Sequence, residues 1–157
     1  MNVASDILSL IPTDPGYVPS DDARLRAREL LATLLPQAQE VRVVVTDDIR
    51  FVDQGQNWQR ITCPVCGAVW CDDVRPCGWW QRAMDAAWAT CFTDLRVVMP
   101  CCGAASSLND LCYDWPTGFA RFRLVAREPN IKSLSTAAIA ALEGAVGHRL
   151  RVVRARY

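Results

Sequence analysis

Two short cysteine knuckles hold the residues of this chain best suited to chemistry: Cys63-Pro64-Val65-Cys66-Gly67 and Pro100-Cys101-Cys102-Gly103, with 34 residues between Cys66 and Cys101. Thiolates are soft, anionic ligands, and four at this spacing can close a tetrahedron around a divalent ion such as Zn²⁺. The proline stiffens the first turn. Each glycine can take the left-handed conformation that aims backbone N–H groups at sulfur. The expected ligands are Cys63, Cys66, Cys101 and Cys102, with zinc as cofactor. Adjacent cysteines depart from the usual Cys-x-x-Cys second half, so Cys71 or Cys112 stands as a substitute for one of that pair. Four protein thiolates leave no position open for water, which makes such a centre structural. Its binding free energy becomes folding free energy, on the order of ten kcal/mol in small zinc peptides.

The competing chemistry is redox. Cys63-Pro64-Val65-Cys66 also resembles a glutaredoxin-type dithiol, with Val98-Met99-Pro100 standing for the proline turn that faces such a pair. There the reactive cysteine sits at a helix N-terminus, which lowers its pKa. Here Gly67 to Asp73 shows no helical stripe, Pro76 blocks extension, and Asp72 and Asp73 oppose a thiolate. A dithiol oxidoreductase using Cys63 and Cys66 is therefore the alternative. Cys77, Cys91 and Cys112 are scattered; Cys91 reads as a small core residue, and a second metal site from Cys71, Cys77, Cys91 and Cys112 is the weaker option. His148, the single histidine, follows Gly147 at a helix end and reads as a cap, so no Cys-His or Ser-His-Asp machine is expected. The pairs Asp21-Asp22, Asp47-Asp48 and Asp72-Asp73 suit caps and turns.

The elements that position these groups follow from punctuation and periodicity. Residues 1–20, with Pro12, Pro15 and Pro19 around Ile7-Leu8-Ser9-Leu10-Ile11, read as a docked arm with one turn of helix. Ser20 or Asp21 caps a helix over 21–35 that buries Ala27, Leu30, Leu31, Leu34 and Leu35, and Pro36 ends it. Val41, Val43 and Val45 mark a strand. Ile49–Asp53 and Trp58–Thr62 read as a hairpin closed by Gln54-Gly55-Gln56-Asn57 and feeding the first knuckle. After an irregular stretch over 71–78, a helix over 79–91 places Trp80, Met84, Ala87, Trp88 and Cys91 on one stripe. Leu95–Met99 is a strand leading into the second knuckle. Phe122, Leu124 and Ala126 alternate with Arg121, Arg123 and Arg127 as a half-buried strand. Ser133 or Ser135 caps a helix that buries Ile139, Leu142 and Val146 and stops at Gly147, and Leu150–Arg156 is a last strand. The expected fold class is α+β: one domain over 1–157, an antiparallel or mixed sheet with helices on one face, and a zinc-ribbon-like edge module over about 49–118.

Ser107 to Phe119 is the second informative segment. Asn109, Asp110, Asp114 and Trp115 mix acceptors with a large aromatic in a loop held by Pro116 and Gly118, as binding surfaces do. The plainer reading is that Trp115 and Phe119 lock the loop to the core. Net charge is zero but uneven: residues 1–114 carry nine basic and fifteen acidic side chains, and 115–157 carry eight and two. Such halves either attract one another within the fold or mark an interaction surface. Arg121, Arg123, Arg127, Arg149, Arg151, Arg154 and Arg156 could face nucleic acid, but the overall neutrality and the acidic ribbon argue against it. Met1 to Asp6 lacks a basic start and a long apolar run, so no signal peptide is expected. No apolar stretch approaches the roughly 20 residues that span a membrane. A cytoplasmic protein is expected, and in a reducing compartment its eight cysteines read as metal-binding or redox groups and not as four disulfides.

From Phe51 through Phe122, the CPxCG knuckle, the Pro-Cys-Cys-Gly and the run Ser107-Leu-Asn-Asp-Leu-Cys-Tyr-Asp-Trp-Pro-Thr-Gly-Phe-Ala-Arg-Phe122 resemble a group of small, uncharacterised bacterial zinc-ribbon-like proteins. The resemblance implies a ribbon module and brings no activity with it. Proteins of this kind often serve as binding partners, including immunity proteins that plug a toxin, an association and not a mechanism. The expected function is partner binding without catalysis, through Asn109, Asp110, Asp114 and Trp115.

Overall fold

The computed structural model describes residues 5–71 and 77–157. It is an α+β fold in which a four-stranded antiparallel sheet carries two helices on one face and a cysteine-bearing ribbon at one end. The chain runs β1 (Asp6–Pro12), α1 (Asp21–Leu34), β2 (Glu40–Val52), β3 (Ile61–Thr62), β4 (Val69–Trp70) and α2 (Gly78–Trp88). It continues through β5 (Arg96–Val98), β6 (Ala105–Ser107), β7 (Cys112–Tyr113), β8 (Gly118–Arg127), α3 (Thr136–Val146) and β9 (Leu150–Arg156).

The sheet order is β2-β8-β1-β9. The N-terminal segment expected as an arm is a central strand: Leu10 faces Leu124 of β8 on one side and Val152 of β9 on the other. Its apolar run shows no alternation because the strand is buried from Leu8 onward, the pattern of a strand covered on both faces. On one face Leu8, Leu10, Phe122, Leu124 and Ala126 meet Ala27 and Leu31 of α1 and Leu142 and Val146 of α3. Both helices begin as read. The Ser20 hydroxyl accepts from the Ala23 amide at 3.2 Å, and Ser135 from Ala138 at 3.1 Å. Gly147, at φ +83°, closes α3. His148 stacks on Tyr17 and turns Nδ1 to the Arg149 carbonyl at 2.9 Å, just past that helix.

The hairpin expected from Ile49–Asp53 and Trp58–Thr62 does not form. Strand β2 runs on to Val52, pairing Phe51 with Phe119 and Val52 with Gly118 of β8, and a bulge between Val45 and Arg50 takes up Asp47 and Asp48. That bulge broke the alternation and made one strand read as two. Gly55, at φ +57°, bridges to Arg156; a Cβ there would lie 2.3 Å from the Arg156 carbonyl oxygen. The ribbon strand β3 pairs instead with β4 and β7. Helix α2 ends at Trp88, so Cys91 lies beyond it at φ +54°, and both residues are exposed where a buried stripe was expected. Trp80, Met84 and Ala87 do face inward.

The ribbon has its own aromatic core. Trp70, Trp80, Phe92, Tyr113 and Phe119 are buried with Ile61, Met84 and Met99. Phe119 stacks at 5.2 Å on both Phe51 and Phe92, so the same β2–β8 pair that builds the sheet also anchors the ribbon. Charge asymmetry is partly settled inside the fold: Arg154 clamps Asp6 through Nε–Oδ1 (2.7 Å) and Nη2–Oδ2 (2.5 Å), and Arg127 pairs with Glu40 at 3.6 Å.

Two outcomes are expected. Leu10→Ala should cost about 2–5 kcal/mol in urea unfolding, since the side chain is fully buried in a central strand; an arm residue would cost far less. The Arg154 hydrogen bond holds the Asp6 carboxyl below its ordinary 3.8. That contribution is complete above the ordinary value and lost as pH falls through the lowered one. Asp6→Asn should therefore flatten the acid limb of stability measured below about pH 4.

Candidate metal centre

Each knuckle is the turn of a hairpin: residues 63–68 join β3 to β4, and residues 99–104 join β5 to β6. The two turns share one hydrogen-bond pattern. The Gly67 amide donates to the Cys63 carbonyl (3.1 Å) and the Cys63 amide to Ala68 (2.8 Å); Gly103 donates to Met99 (2.8 Å) and Met99 to Ala104 (2.9 Å). Gly67 and Gly103 both take positive φ, +79° and +72°, a conformation that disfavours any Cβ. Aligned this way, Cys66 matches Cys102, whereas Cys63 matches the buried Met99. The fourth sulfur comes from Cys101, the counterpart of Val65 at the knuckle tip. That is why the second half reads Cys-Cys and not Cys-x-x-Cys.

The four expected cysteines do meet: Cys63, Cys66, Cys101 and Cys102 place their sulfurs within 4.8 Å of one another. Cys66 and Cys101 stand 3.2 Å apart, Cys63 and Cys102 4.0 Å. A tetrahedral ion with bonds of about 2.3 Å separates its sulfurs by about 3.8 Å, so the cluster matches a metal's dimensions and could hold a metal ion. Cys63 is buried at 2 % exposure; the other three are exposed. The amides of Cys66 and Val65 point at the Cys63 sulfur and push its pKa down to about 6. Loss of solvation, then its three cysteine neighbours, push Cys101 up to about 12. Four thiolates at this range cannot all ionise unaided, and a dication would relieve the conflict.

The substitutes do not join. Cys71 is bonded to Cys77 in a disulfide, which corrects the expectation for that pair and rules Cys71 out as a ligand in this state. Cys112 and Cys91 are free and exposed outside the cluster. Asp72, Asp73 and Pro76, used in weighing the redox alternative, lie outside the described residues.

The loop residues expected at a binding surface divide. Asn109 turns inward: Nδ2 donates to the Thr13 carbonyl (2.9 Å), and Oδ1 accepts from Arg151 (3.1 Å). It ties the ribbon to the ends of β1 and β9 and offers no surface, a correction to its expected role. Asp110 is exposed, and Asp114 pairs with Arg60 at 2.5 Å. Trp115 is 44 % exposed and adopts φ +58° immediately before Pro116. Proline strongly favours an extended predecessor, and a left-handed non-glycine residue costs of order 1–3 kcal/mol. The buried Gln54 supports it, donating from Nε2 to the Trp115 carbonyl at 3.2 Å. Lys132 and Arg154 lie beside this ring. No short-range signal announced them, because they join Trp115 only through the sheet.

No family model, curated protein or solved structure matches this chain. Among the described residues no helix is long and apolar enough to cross a membrane.

The native chain should carry one divalent ion per chain, which Cys63→Ser and Cys101→Ser should each lose and Cys91→Ser and Cys112→Ser should keep. Elemental mass spectrometry of untagged protein prepared without chelator decides this. Metal retained in all four variants would remove the cluster as the site.

Proposed function

We propose that the chain is a metal-stabilised binding protein: zinc held by Cys63, Cys66, Cys101 and Cys102 braces the ribbon, and a protein partner is captured around Trp115 without catalysis. The observation that carries the metal half is the closure of four sulfurs between two hairpins, which supplies every position of a tetrahedral ion from the chain itself. The binding half is supported by Trp115. A large aromatic held exposed in a strained conformation serves no packing need that a relaxed residue would not serve better. The compartment proposed is the bacterial cytoplasm. The resemblance to small bacterial zinc-ribbon-like proteins makes an immunity or regulatory role, with a toxin as one kind of partner, the form this reading takes.

One observation favours the dithiol alternative: the low pKa of Cys63. Its 2 % exposure argues against it, since a nucleophile must be reached. For nucleic acid, four of the seven arginines named above are already engaged within the fold. Arg154 holds Asp6, Arg127 pairs with Glu40, Arg151 bonds Asn109 and the Thr117 carbonyl, and Arg121 donates to the Thr46 carbonyl.

Trp115→Gly separates support from binding. It relieves the backbone strain but gives up the contacts of a half-buried indole, so the chain should stay folded, with an unfolding free energy within about 2 kcal/mol of the native value and metal content unchanged. Capture of the partner from source-cell lysate, compared with the native chain, should fall by about tenfold or more. A variant that unfolds, or one that captures equally well, would sink the reading.

A further inference from the structure

Two adjoining hollows meet at Trp115 and share it with Lys132 and Arg154. One, of about 300 Å³, is apolar, walled by Leu8, Pro116, Leu134, Ile139 and Val152. The other, of about 420 Å³, is charged, lined by Asp6, Glu128, Lys132, Arg154 and Arg156. Within the charged hollow most groups already have partners. Arg154 binds both oxygens of Asp6 and also donates to the carbonyls of Lys132 (3.0 Å) and Ile131 (2.9 Å). Glu128 accepts from the Asp6 amide at 3.0 Å. Lys132 and Arg156 are exposed and have no ion pair or side-chain hydrogen bond among the described residues. Three cations thus stand against two anions, and both unengaged groups are cations beside an exposed indole and an aliphatic pit.

We propose that this cleft receives an acidic segment of the protein partner. An aliphatic or aromatic side chain fills the apolar hollow under Trp115, and neighbouring carboxylates lie against Lys132 and Arg156. The proposal rests on the binding reading above and specifies the partner's chemistry. Charge complementarity selects the sign, and the two hollows side by side select a chain that alternates apolar and acidic groups. A phosphate backbone fits less well. Asp6 and Glu128 interrupt the positive surface, and nucleic acid calls for a continuous basic track.

The test uses the full metal-loaded chain and fluorescence polarisation with defined probes. These are a pool of short peptides carrying one central Leu, Ile, Phe or Trp in a Glu/Asp background, the same pool in a Gln/Asn background, and an oligouridylate. The acidic pool should bind about tenfold or more tightly than the amide pool and weaken as salt rises. Lys132→Glu/Arg156→Glu should reduce acidic-pool binding by about tenfold or more, Trp115→Gly likewise, and Arg26→Glu on α1 should leave it unchanged. Circular dichroism and metal content verify that each variant is folded. Equal binding of the two pools, no binding of the acidic pool, survival of binding in the charge-reversed variant, or tighter binding of the oligouridylate would each overturn the proposal. If the acidic pool fails while Trp115→Gly still loses partner capture, the binding reading stands and only the acidic segment falls. If capture also survives, both fall.

Discussion

The ribbon depends on a constraint of length. Strands β3, β4 and β7 have two residues each, and β5 and β6 have three. Hairpins this short do not persist in water by their own hydrogen bonds. They are held from within by the aromatic cluster around Trp80, Tyr113 and Phe119, and an ion bound by the four clustered sulfurs would hold them from without. Tyr113 shows how closely the inner support is fitted. Its buried hydroxyl donates to the Leu108 carbonyl at 2.6 Å and accepts from the Trp80 indole at 3.2 Å, so both of these polar groups are paired inside the aromatic core. A metal joining Cys66 to Cys101 would close a loop of 35 residues, removing on the order of 4 kcal/mol of chain entropy from the unfolded state in the cross-link picture.

The sheet and the ribbon are not independent, because β8 serves both. Its Phe122, Leu124 and Ala126 face the helices, and its first residues, through Phe119, enter the aromatic core. Asn109 and Arg151 form a second tie, joining the ribbon's loop to β9 and the end of β1. The Trp115 cleft lies along this junction, with walls from β1, β9 and the segment before α3. A surface assembled from such distant parts of the chain holds its shape only if the junction does.

Much of this was readable because the physics was local. The four clustered cysteines, the Ser20 and Ser135 caps and the Gly147 stop each follow from a residue type and its immediate neighbours, and the structure brings those sulfurs together and forms those caps. What escaped was non-local. The central place of β1 was hidden by its prolines and uniform burial, and the Val45/Arg50 bulge disguised the single strand β2 as two. Asn109 looked like surface because its partners, Thr13 and Arg151, lie far off in sequence. The left-handed Trp115 could not be read at all, since a Trp-Pro pair ordinarily argues for extended backbone.

The matching of the two knuckles leaves the sulfur cluster lopsided. Met99 takes the place that Cys63 holds in the first turn, and the missing ligand is made up by Cys101 at a tip. One sulfur is thereby sealed in the interior with two amides aimed at it, and three face water. An ion seated there has an inner side and an outer side. Chelators and competing thiols reach only the outer one, so exchange would proceed in order, with Cys66, Cys101 and Cys102 released first and Cys63 last. Retention of such an ion would then depend less on overall affinity than on how long that single buried thiolate keeps hold.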